Sequence, residues 1–125
     1  MSYILVFIGG GLGSAARYFV NTVFKNFTNS YFPFATLTVN VVGSFLMGIV
    51  TALIAHKFFN NSEQMRLILT VGFLGGFTTF SSFSIETLTL LGKHQIFYAF
   101  TNVATNFTFG LLAAYFGIIL MKNIL

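Results

Sequence analysis

Gly72-Phe73-Leu74-Gly75-Gly76-Phe77-Thr78-Thr79-Phe80-Ser81-Ser82-Phe83-Ser84-Ile85-Glu86 is the stretch on which the reading of this chain turns. It lies inside a long apolar run, yet three glycines and two threonines weaken a helix through its middle. At membrane depth the backbone groups freed by such a weakness find no partner in lipid, so they must line a cavity or bind something. The stretch predicts a discontinuous helix whose unwound carbonyls can ligate a cation. For a glycine pair alone, a kink or a close helix crossing is the simpler account.

Outward from this stretch, four apolar runs come close to the roughly 20 residues that cross a bilayer core. They cover residues 3–24, 34–55, 67–91 and 96–121, separated by polar breaks at 25–33, 56–66 and 92–95. Pro33 falls where a helix tolerates proline, in its first turn, and marks the start of the second run. The first run is longer than a signal-peptide core and has no Lys or Arg ahead of it, which predicts that it stays as a helix. Gly9 with Gly13, and Ser44 with Gly48, stand at the spacing that lets backbones approach in lipid.

Composition points the same way. Of 125 residues, 56% are hydrophobic and 6% charged, against about 25% charged in soluble domains. There are 18 Phe and no Trp, so the rings are apolar filling more than an interfacial belt. Without cysteine there is no disulfide, thiolate metal site or Cys nucleophile. The net charge of +4 comes from single, scattered residues that form no patch for nucleic acid.

Four spans put both termini on one side. Lys57, Arg66 and Lys122 then fall on the terminal face, against Lys25 and Lys93 on the other, joined by Arg17 if it snorkels outward. Orientation follows Lys/Arg asymmetry, and this asymmetry is slight. One charge can be enough to decide direction, or both orientations insert and pair.

The polar residues within the spans carry the functional readings. Phe80 and Phe83 share a helix face at i, i+3, and a ring edge offers positive potential to an anion without a formal charge. Thr79, Ser81, Ser82 and Ser84 surround them. Asn40, Asn102 and Asn106 can donate to a dehydrated anion or glue helices together, and their spacing by itself favours glue. Glu86 is the one carboxylate inside a span, which makes it a functional candidate. Arg17 is either its partner or an attractor of anions. His56 and His94 sit at loop edges. No triad, carboxylate pair or phosphate loop supplies enzyme chemistry.

The chain resembles the Fluc-type fluoride channel family along its whole length. The resemblance rests on Gly75 to Ser84 in the third span, Thr38-Val39-Asn40-Val41-Val42-Gly43-Ser44-Phe45 in the second, and Gly10-Gly11-Leu12-Gly13-Ser14-Ala15-Ala16-Arg17-Tyr18 in the first. It implies an all-α integral membrane protein with a break in the third of four transmembrane helices. It further implies an antiparallel, dual-topology homodimer with two pores, exporting cytoplasmic fluoride passively across the inner membrane. Backbone carbonyls of Gly75 and Thr78 from both copies would hold a structural sodium ion. Phe80, Phe83 and Asn40 would line each pore, with Thr79, Ser81, Ser84 and Glu86 as a polar path. Asn102 and Asn106 stand where the family often has a Tyr and a Ser, a change of donor type. If carbonyls hold the ion, Thr78→Ala should be tolerated better than Gly75→Val.

Two rivals differ in class. A small proton-coupled multidrug exporter has similar size but uses a carboxylate in its first span, and this first span has none. A structural or assembly protein of the membrane needs no polar track.

Overall fold

Four helical stretches are long and apolar enough to cross a membrane. The computed structural model describes residues 1–125 and sets α1 at Ser2–Phe27, α2 at Phe34–Ala55 and the last span, α6, at Ile96–Ile124. The third stretch is composite, made of α3 (Ser62–Met65), a π-helical segment (Arg66–Leu74), α4 (Gly75–Phe77) and α5 (Phe80–Gly92). The second span coincides with its expected bounds, while α1 and α6 run on past Phe24 and Met121. The third begins at Ser62, ahead of Leu67, with a polar first turn in which Glu63 and Arg66 form a two-pronged surface ion pair. Hydropathy reads such a turn as loop. Pro33 is the N-cap of α2, one residue ahead of the predicted first turn.

Both α2 and α5 end in the same way. Lys57 and His94 take positive φ of 55° and 60°. Around Lys57 the amides of Lys57 and Phe58 reach back to Ile54 and Leu53, and around His94 those of His94 and Gln95 reach back to Leu91 and Leu90. These paired bonds satisfy the last carbonyls of each helix, a closure that usually employs glycine.

The helices pack by backbone approach. A Cβ on Gly13 would run into the carbonyl oxygen of Phe73, and one on Gly9 into that of Ile68, so α1 lies directly on the first half of the third span. A Cβ on Gly48 would strike the Ala114 carbonyl and one on Gly117 that of Phe45, which joins α2 to α6 equally closely. The Gly9 and Gly13 pair therefore acts as its spacing predicts. Nine consecutive residues in π-helical winding had no signal in the sequence; such winding is rare and is found mostly as single turns. It coincides with the stretch that α1 presses upon. Just 17 of 125 residues are buried, so most of the apolar surface is left for lipid or another chain to cover.

Candidate functional site

Two threonines organise the centre of the third span. Thr78 has extended backbone (φ −82°, ψ 159°), and its hydroxyl donates back to the Leu74 carbonyl at 3.0 Å, closing α4. Thr79 is also extended (φ −152°, ψ 118°), and its side chain accepts from the Ser82 amide at 3.1 Å, capping α5. Such a cap satisfies one of the orphan amides at a helix start. The helix before and the helix after are thus each finished by a neighbouring hydroxyl.

Asn40, on α2, grips this point from the side. Its Oδ1 accepts from the Thr79 amide at 2.8 Å while its Nδ2 donates to the Thr79 carbonyl at 3.1 Å. In a continuous helix the Thr79 amide would serve the Gly75 carbonyl, so Asn40 takes that donor away. Nδ2 of Asn40 also donates to Oδ1 of Asn106 on α6 at 2.9 Å. Asn106 in turn donates to the carbonyl and to Oδ1 of Asn102, at 2.8 and 2.9 Å. Asn102, fully buried, donates to the Thr87 hydroxyl at 2.9 Å, and Thr87 donates to the Phe83 carbonyl at 2.8 Å.

A cleft of about 230 Å³ opens beside these groups, lined by Asn40, Ser44, Thr78, Thr79, Phe80, Phe83, Asn106 and Phe107. No charged side chain lines it. The rings of Phe80 and Phe83 lie 5.5 Å apart and tilted, and Phe107 meets Phe83 edge-on at 6.0 Å. Phe83 is buried, whereas Phe80 is 70% exposed. The cleft lies at the N-terminus of α5, where the helix dipole places partial positive charge. Ring edges, the Ser44 hydroxyl and that dipole suit an anion stripped of water, and none binds it as strongly as a full charge, while the side-chain N–H groups of Asn40 and Asn106 are already engaged.

The predicted residues do not all gather here. Asn40, Thr78, Thr79, Phe80, Phe83 and Asn106 do. Asn102 stands behind Asn106 and joins α5 to α6, which is the glue reading of that residue. Ser84 donates to the Phe80 carbonyl of its own helix at 3.0 Å. Ser81 touches the Thr79 hydroxyl at 3.3 Å but faces a separate cleft with Ser82 and Glu86. Glu86 also borders two clefts that reach Lys25 and Lys93, and its Oε1 is buried without a hydrogen-bond partner. Arg17 forms no ion pair with Glu86; its guanidinium turns inward to the Thr78 carbonyl at a long 3.4 Å. It does not snorkel, so the facing charge count is three against two.

Gly75 is exposed and has ordinary helical backbone, φ −61° and ψ −38°. Three residues escaped sequence reasoning. Ser44, read as a packing residue, lines the cleft with a hydroxyl that no other group engages, and its position one turn after Asn40 was the available signal. Phe107 follows Asn106 directly, and Thr87 could be found only from its contact with Asn102.

Residues 4–118 match the family model described as CrcB-like protein, Camphor Resistance (CrcB). A fluoride-specific ion channel of Caulobacter vibrioides is 41% identical over 121 residues, covering 97% of this chain and 95% of its own. One from Coxiella burnetii is 39% identical over 124 residues, covering 99% and 100%. Another, from Staphylococcus aureus, is 40% identical over 118 residues, covering 94% of each. With a family match across most of its length and relatives at this identity end to end, the chain belongs to the CrcB-like family.

Proposed function

We propose that this chain is a passive, fluoride-selective ion channel that lets cytoplasmic fluoride escape across the inner membrane. The observation that carries this reading is the uncharged cleft of ring edges, amides and hydroxyls at the start of α5. The relatives' activity adds to it. Fluoride holds its water tightly, and a pore must replace that shell with many weak contacts so that the ion can also leave. The multidrug exporter is disfavoured, because the chain's two carboxylates are Glu63 and Glu86 and neither lies in the first span.

We read the extended residues Thr78 and Thr79 as a functional break. Two copies in opposite orientations would meet there, with the Gly75 and Thr78 carbonyls around one sodium ion. Supporting this are the loss of the Gly75 carbonyl's helical donor to Asn40 and the exposure of Gly75. Arg17 already brings a positive charge to the Thr78 carbonyl, a rival account of that group. The small buried core and the charge count of three against two favour an antiparallel pair.

The test is fluoride efflux from liposomes holding purified protein, expected to be rapid, to exclude chloride and to need sodium without carrying it. No flux above empty liposomes would end the channel reading. Flux indifferent to sodium would leave the channel and remove the ion.

A further inference from the structure

Asn40 has two side-chain N–H groups and both are in use, one on the Thr79 carbonyl and one on Oδ1 of Asn106. It therefore has no free donor for an anion in the cleft that it lines. The bonds beyond it all run in one sense: the Thr79 amide donates to Asn40, Asn40 to Asn106, Asn106 to Asn102, Asn102 to Thr87, and Thr87 to the Phe83 carbonyl. An amide group can be turned end for end with little change of shape. Here the ends forbid it, since a backbone N–H can only donate and a carbonyl only accept.

We propose that Asn106 is a latch on Asn40, withholding the N–H that a passing anion needs and so setting how strongly the cleft takes fluoride. This rests on the reading of the cleft as the fluoride path. The two Asn40 donors are not equivalent. The one on Thr79 is part of a double contact with a single residue's backbone, and breaking it would unseat the start of α5. The one on Asn106 is a single bond between side chains inside the cleft. Asn106 stays in place when that bond opens, because both its own N–H groups remain on Asn102. Entry of fluoride then exchanges one acceptor for another, Oδ1 for the ion, with no donor left bare.

Asn106→Ala removes the competing acceptor. One hydrogen bond's net worth corresponds to about two- to tenfold in an equilibrium constant. The half-saturating fluoride concentration for efflux should fall by that factor, whatever happens to the maximal rate. An assembled variant with unchanged or higher half-saturation overturns the latch, since a merely structural Asn106 would weaken the site or leave it alone. Absence of flux from the parent protein would instead overturn the channel reading. Should the variant not assemble, fluoride titration of the ¹⁵N-labelled parent decides. One Asn40 side-chain proton should shift while the Thr79 amide stays; no shift, or movement of the Thr79 amide, counts against the proposal.

Discussion

The third span is held in two ways along its length. Over residues 66–77 it meets α1 backbone to backbone, with Gly9 and Gly13 set against the carbonyls of Ile68 and Phe73. From Thr79 onward it meets α2 and α6 through side chains: the amide row from Asn40 to Thr87, and the ring contact of Phe83 with Phe107. The first half depends on atoms being absent and the second on particular polar atoms being present. The cleft lies where one means gives way to the other. Added volume should therefore break the first half, and lost polarity or ring edge the second.

The largest effect should follow Gly13→Val. Its Cβ alone would overlap the Phe73 carbonyl oxygen, a fixed backbone atom that cannot step aside as a side chain can. Overpacking usually costs about 1–3 kcal/mol, and this site offers no relief, so the folded fraction recovered in detergent should collapse. Recovery of parent-like yield would show that α1 is not seated as described. Phe80→Ile and Phe83→Ile come next and should part company. Both remove a ring edge and should cut fluoride efflux by up to about tenfold. Phe83 is buried against Phe107 and should also lose thermal stability, while exposed Phe80 should not. Full efflux from both would put the path elsewhere.

Gly75→Val against Thr78→Ala tests the junction itself. Within one chain a Cβ on Gly75 finds its nearest neighbour, the Thr70 carbonyl, at an ordinary 3.6 Å. Thr78 is more engaged, with its hydroxyl on Leu74 and its methyl where a Cβ on Gly43 would fall. The single chain thus ranks Thr78→Ala as the worse change, the reverse of what the sodium reading expects. Parent-like stability with lost dimer and flux in Gly75→Val would locate the damage between copies. A Thr78→Ala loss exceeding that of Gly75→Val would remove the carbonyl site.

How legible this was in the sequence follows the same division. Runs of apolar residues fix the four spans because lipid demands length, and spacing at Gly9 and Gly13 signals close approach. The π-helical winding of Arg66–Leu74 leaves no such trace, since its residues are as apolar as those of an α-helical span. Phe80, Phe83 and Asn40 were legible through family resemblance, and Thr79 through its place beside them. The direction of the amide row was not, because Asn40 and Asn106 stand far apart in the chain and their pairing exists only once α2 and α6 pack. Ser44 was misread for a related reason: small and hydroxylated, it satisfies a packing rule and a binding rule equally.

The smallest effect belongs to the two helix ends, which serve as a control on the comparison. Lys57 and His94 both hold left-handed backbone, φ 55° and 60°, where a side chain is strained and glycine is not. Relief of that strain is worth about 1 kcal/mol per residue. Lys57→Gly precedes the backbone-packed half of the third span, and His94→Gly follows the polar half. Each should raise the thermal unfolding midpoint by a few degrees, an increment in line with that energy for a chain of this size. Efflux should stay at the parent rate in both. Lys57→Gly also brings the facing charges from three against two to two against two, which an antiparallel pair tolerates because neither orientation needs to prevail. A flux change confined to His94→Gly would mean that the functional half extends to the loop before α6, and the boundary drawn at Thr78 and Thr79 would have to move.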